Sequence, residues 1–383
     1  MQPSSFLPNY LSTKALFMAA GVGFSCWIFI IQLTNQRLGA DPYTLKQWLS
    51  ILSASSATAV LAILSSSRID SRWVLMSAGL ALVLCLLTLP YASSSILLTG
   101  VLTIYGSSLG VLIFTMNYYS AEMERRSDRW LLSKFYGLFS LGSIISGGLL
   151  LFLGSISTYL FFDGILSISL ILMVIFVFAL VFLPKTEGKL TFFLIFPRGE
   201  ILVSALLAAV LFFVESAILY WCVFVNFAKV QSFTANVCLT GLATVLGVLT
   251  GRFLGDSTIM RFGNRSVLFW GGIISIVGCM LLLFEKGVTL YSAGLFLIAL
   301  GMSNVIPILF RRADSQSDMP PTTAVLAIGT FGYLGVLTAP LIIEIFLNSS
   351  LSQSLPLILI IMTMISIILL LAKYVIRYEN YTL

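Results

Sequence analysis

The sequence predicts an all-α integral membrane protein, with twelve transmembrane helices in two pseudo-symmetric six-helix bundles. Three features predict it: the composition, the spacing of the apolar runs, and a repeat at half the chain length. Of the 383 residues, 59% are hydrophobic and 9% are charged, whereas soluble chains carry about 25% charged residues. A water-facing fold of this size leaves too much surface exposed to hide so many apolar side chains. Lipid is therefore the solvent for most of the chain.

A bilayer core is crossed by roughly 20 apolar residues in a helix, and only helices or closed barrels satisfy the backbone there. Runs of that length recur without the alternation of a barrel strand. They fall near residues 13–34, 45–64, 73–90, 94–120, 132–154, 158–183, 199–227, 233–254, 266–283, 289–310, 322–347 and 354–376. The first is too long for a signal peptide and lacks a small-residue cleavage site, so it reads as the first span. With the N-terminus cytoplasmic, 17 of the 21 Lys and Arg fall on the inner side, Arg252 among them; only Arg37, Lys46, Lys229 and Lys286 fall outside. That is the asymmetry of the positive-inside rule. It places the chain in the cell (inner) membrane with both termini cytoplasmic, and it makes the net charge of +6 a topology signal. A nucleic-acid partner is not expected.

The third feature is internal. "RIDSRWVL" from Arg68 lies over "RFGNRSVL" from Arg261, so that Arg68, Arg72, Val74 and Leu75 meet Arg261, Arg265, Val267 and Leu268 at an offset of 193. At nearly the same offset Trp27 meets Trp221, Asn117 meets Asn304, Arg125 and Arg126 meet Arg311 and Arg312, and Gly142 meets Gly335. These anchors are charged, aromatic, amide and glycine residues at corresponding places in the span order, which points to duplication of a six-helix unit. The predicted domains are residues 1–183 and 199–383. Between them residues 184–198, with Pro184, Pro197 and several charges, read as a cytoplasmic linker.

On these residues a family resemblance rests. "GRFLGDSTIMRFGNRSVL" (251–268) resembles the cytoplasmic loop signature of the major facilitator superfamily, here better kept in the second half than in the first. "MNYYSAEMERRSDRWLLSKFYGLFSLGSIISG" (116–147), "ESAILYWCVFV" from Glu215 and "FGYLGVLTAPLI" from Phe331 resemble its fucose-permease-like branch. Tyr136 stands where that branch commonly has a His, and Tyr220 where it often has an acid. The resemblance implies two parallel bundles that rock about a central site, a secondary active transporter moving a small polar solute, such as a sugar or related metabolite, by alternating access. An exporter of drug-like compounds, or a sensor derived from a transporter, would share these features.

Site residues are sought where lipid should have removed polarity. Glu215 lies fifteen residues after Glu200 and fourteen before Lys229, about 21 Å from either charged end. An ionised carboxylate near the midplane costs at least a few kcal/mol, so it should face the protein interior or water, where a change of protonation would couple solute to protons. Asn226 follows on the same helix face, and Ser25 and Gln32 form a matching stripe on the first span. Asn117 and Asn304 would hydrogen-bond a polar solute or tie helices together. Trp27 and Trp221 would stack on a sugar face or simply pack. Tyr136 completes this set. Asp256, Arg261 and Arg265, with Arg68 and Arg72 in the first half, would form a charged latch on the inner face or anchor the topology.

Other classes are disfavoured. There is no His, which removes the commonest zinc and haem ligand and the commonest general base, so no metal, cofactor or enzymatic activity is expected. Cys26, Cys85, Cys222, Cys238 and Cys279 all lie in apolar spans without a CxxC pair. Nothing resembles a P-loop, so ATP is not the implied energy source. The duplication supplies two unlike walls within one chain, where a channel would build its pore from oligomeric symmetry; a monomer is expected.

Overall fold

A computed structural model describes residues 3–38, 42–65, 71–127, 131–182, 196–229, 235–283, 288–315 and 319–347. The described residues are almost all helical and fall in two compact units, residues 1–194 and 195–383. The first contains α1 (Pro3–Leu38), α2 (Pro42–Ser65), α3 (Ser71–Thr88), α4 (Ser95–Ser127), α5 (Leu132–Ile156) and α6 (Thr158–Phe182). The second contains α7 (Glu200–Lys229), α8 (Ala235–Leu283), α9 (Val288–Met302), α10 (Val305–Ser315) and α11 (Pro321–Leu347). The twelfth predicted span, residues 354–376, and most of the predicted linker lie outside the described residues.

The first six spans coincide with the predicted ones to within about two helical turns at their ends, except that α1 starts ten residues before the predicted residue 13. The α6 helix shows why they are stable in lipid: Leu170, Ile171, Val174, Val177 and Phe178 form an exposed apolar stripe, while Ile165, Ile168, Leu172 and Phe176 are buried. Within this unit α1 packs along α5. A side chain at Gly142 would collide with the Met18 carbonyl of α1, so the two backbones meet where only a hydrogen fits. The Glu124 carboxylate of α4 accepts the Leu131 N–H at 2.6 Å, satisfying one of the orphan donors at the start of α5.

The second unit repeats this contact between its own first and fifth spans. A side chain at Gly335 of α11 would collide with the Ala209 carbonyl of α7. Gly142 and Gly335 are the pair matched at offset 193 in the sequence, and the same crossing in both units is what descent from one six-helix ancestor produces.

Two predicted boundaries differ. The stretch 251–265 is not a loop. Helix α8 runs through it and breaks only at Gly263, where φ 77 and ψ 160 lie in a region that residues with a Cβ avoid. The eighth and ninth spans are thus joined by a turn of minimal length. The tenth span is interrupted: α9 ends at Met302 and α10 starts at Val305, with a turn at Ser303 and Asn304. Pro307 explains the break, because it has no N–H to offer the Ser303 carbonyl and its ring clashes with that carbonyl in a continuous helix.

Candidate functional site

Glu215 sits in the middle of α7. At 100° per residue it continues the stripe of Ser204, Ala208, Leu211 and Ile218, all of them buried, and is itself half-buried. Leu206, nine residues earlier and hence half a turn around, is 41% exposed, and Leu202 on that side is 42% exposed. The carboxylate therefore leaves the helix on the side away from the lipid-facing leucines.

A buried cation of the same unit is Arg252 of α8. Because α8 is helical through this region, Arg252 lies seventeen residues from Ala235 and eleven short of Gly263, well inside the span. Counted from the paired ends at Lys229 and Ala235, Glu215 and Arg252 lie about 21 and 26 Å down their helices, at nearly the same depth. Arg252 is 8% exposed. Its neighbours Gly251 and Gly255 bring α8 against the interrupted tenth span: a side chain at Gly251 would strike Ser303, and one at Gly255 would strike Asn304. The Asn304 Nδ2 donates to the Gly251 carbonyl at 2.9 Å and to the Ser303 Oγ at 3.3 Å.

Below this level lie two ion pairs. Arg311 donates to Asp256 at 2.7 Å, with both side chains largely buried, and Arg312 donates to Glu200 at 2.8 Å. Arg252 and Asp256 share a face of α8 at i, i+4. The sequence-based latch joined Asp256 to Arg261 and Arg265; in the structure both of those arginines are exposed, and Arg311, fifty-five residues away in sequence, takes their place. Removing one partner of a largely buried pair costs about 3–5 kcal/mol. Asp256→Asn should therefore lower the thermal midpoint of the purified protein sharply, and the double variant Asp256→Asn/Arg311→Gln should recover most of the loss.

The remaining predicted residues divide by unit. In the first unit the Tyr136 hydroxyl donates to Asn117 Oδ1 at 2.8 Å, joining α5 to α4, and the Tyr136 ring meets Phe17 edge-on. Ser25 lies 2.5 Å from Ser146 Oγ, one rung in a set of hydroxyl contacts in which Ser143 donates to the Gly21 carbonyl at 2.9 Å and Ser146 to the Val22 carbonyl at 3.2 Å. Trp27 is buried. Asn117, Tyr136 and Ser25 thus use their polar atoms between helices. Tyr136→Phe should cost no more than about 1.7 kcal/mol, the upper end for such bonds inside membranes, read by thermal unfolding in detergent. Arg72 is half-buried at the start of α3. Arg68 and the side chains of Gln32, Trp221 and Asn226 lie outside the described residues.

No family model matches the chain. Comparison of whole structures finds the E. coli fucose:proton symporter at 17% identity and a TM-score of 0.67, covering 97% of this chain and 99% of that one. The human organic anion transporter MFSD10 aligns at 14% identity and a TM-score of 0.69, over 98% and 100% of the two chains. An uncharacterized MFS-type transporter of Yersinia pestis is 27% identical over 344 residues, 87% of this chain and 88% of the relative. The chain has the fold of the major facilitator transporters and is similar over most of its length to an MFS-type transporter. The likeness to these two solved transporters spans nearly the whole chain.

Within this major facilitator fold, the residue missed in the sequence is Arg252. Its charge reads with the inner loop because the surrounding stretch is rich in Arg and Asp. A signal was present: Gly263-Asn264 is the turn dipeptide of that stretch, so the helix had to reach residue 262 and carry Arg252 about 16 Å into the span.

Proposed function

We propose that this transporter is a secondary carrier of a small polar solute, such as a sugar or related metabolite, working by alternating access in the cytoplasmic membrane with both termini inside. Proton coupling runs through Glu215. The observation that supports this most is the position of that carboxylate: mid-span, half-buried, and opposite the exposed Leu206. A group so placed carries an insertion penalty of a few kcal/mol, which a purely structural helix would shed. The superfamily neighbours named above carry fucose with protons in one case and organic anions in the other, so the fold accommodates neutral and charged cargo alike.

Alternating access predicts exchange. Proteoliposomes loaded with unlabelled solute should accumulate labelled solute transiently by counterflow, once a thermal-shift screen has identified a solute that stabilises the protein. A protein that binds such a solute without exchanging it would be a sensor.

A further inference from the structure

The turn at Gly263 carries two cations that the protein does not neutralise. The arms of α8 on either side of it, residues 235–262 and 264–283, are each long enough to cross a hydrocarbon core. Gly263 therefore lies at a membrane surface, the inner one in the orientation proposed above. Arg261 and Arg265 flank it, two residues before and two after. Both are exposed, and among the described residues neither has a carboxylate partner; Asp256, the acid nearest in sequence, is held by Arg311 at 2.7 Å. What Arg261 meets is the Phe262 ring, 5.4 Å from its guanidinium carbon to the ring centroid.

Each arginine heads an apolar stripe. Leu254 lies seven residues, about two helical turns, before Arg261 and so on the same face of the first arm; it is 55% exposed. On the second arm Phe269 follows Arg265 by four residues and is 52% exposed, with Trp270 beside it at 60%. Exposed apolar side chains on a membrane span lie against acyl chains, and an arginine at the end of such a stripe extends its head to the interface. A molecule whose chains run along Leu254 and Phe269 thus brings its head group to both guanidinium groups. Their chemistry selects the head group: guanidinium N–H donors match phosphate oxygens in pairs, whereas a zwitterionic lipid brings a cation of its own to the same place.

We propose that the Gly263 turn binds an anionic phospholipid, with its phosphate on Arg261 and Arg265 and its acyl chains along Leu254, Phe269 and Trp270. Basic side chains are drawn to anionic leaflets in general. The fold adds a specific arrangement: two arginines on opposite arms of one tight turn, each above its own apolar stripe. The site is separate from the mid-span carboxylate and does not depend on which solute is carried.

The test uses the full chain in phosphatidylcholine nanodiscs containing a minor share of brominated lipid, either phosphatidylglycerol or phosphatidylcholine. Bromine quenches indole fluorescence on contact, and the emission lost in Trp270→Phe isolates Trp270. Brominated phosphatidylglycerol should half-quench Trp270 at a mole fraction about tenfold or more below that of brominated phosphatidylcholine, and Arg261→Gln or Arg265→Gln should each reduce this preference about fivefold, the effect of one basic side chain near an anionic surface. The double variant should show no preference. Trp73, 61% exposed on α3 and isolated in the same way by Trp73→Phe, should be quenched alike in wild type and double variant. Equal quenching of wild-type Trp270 by the two lipids, or a preference that survives in the double variant, overturns the proposal. An equal loss at Trp73 also overturns it, as that is the effect of net charge without a site. Loss of the preference in inorganic phosphate, but not in chloride of the same ionic strength, would make the turn a site for free phosphate and overturn the lipid assignment.

Discussion

Replacing Glu215 by Gln should abolish uphill transport and leave exchange running. In the wild type a pH gradient of one unit makes about 1.4 kcal/mol available to a carrier moving one proton per solute, enough for roughly tenfold accumulation. In Glu215→Gln the gradient should drive none, because the residue that links proton to solute has no proton to lose. Counterflow needs only the loaded form to reorient, and an uncharged side chain at residue 215 holds the protein in a state resembling that form. The measurement is uptake into proteoliposomes with and without an imposed pH gradient. Equal accumulation by wild type and variant would remove Glu215 from the proton path.

The largest effect on stability should come from filling the two helix crossings. Leu at Gly142 would meet the Met18 carbonyl, and Leu at Gly335 the Ala209 carbonyl; backbone cannot rotate aside as a side chain can. Overpacking of this kind costs about 1–3 kcal/mol even where neighbours yield, so each variant should lose most of its folded yield or a large part of its thermal midpoint. Gly148, six residues beyond Gly142 on α5, has nothing within 4 Å of an added Cβ, and Gly148→Leu should behave as wild type. The two crossings are related by the internal repeat, so the two losses should be similar. A sharp loss at one crossing and none at the other would show that the repeat does not extend to helix packing.

Much of this fold is written in local sequence. Apolar runs of membrane length report spans directly, and the match of Gly142 with Gly335 locates a crossing that recurs in both units. The sequence also contains the cause of the break in the tenth span, since Pro307 cannot serve the Ser303 carbonyl. Pairings between distant helices are a different matter. Asp256 reaches Arg311 rather than the nearer Arg261 because α8 remains helical to Gly263 and turns that face toward α10. The depth of Arg252 in its helix is hidden for the same reason, as composition marks a charged stretch without giving its depth. Glu215 was legible because its distance to both charged helix ends could be counted. The uses of Asn117, Tyr136 and Ser25 depend on what faces them across a helix interface, which spacing along one helix does not reveal.

The central claim is that a carboxylate kept in the middle of a membrane helix changes protonation as the carrier takes up its solute. Infrared difference spectroscopy of the purified protein, recorded with and without a bound solute, reads that change at the carboxyl C=O stretch. The account predicts that solute binding increases a protonated-carboxyl band in the wild type and that this band is absent in Glu215→Gln. A difference spectrum with no carboxyl band, or one whose band persists in Glu215→Gln, would contradict it.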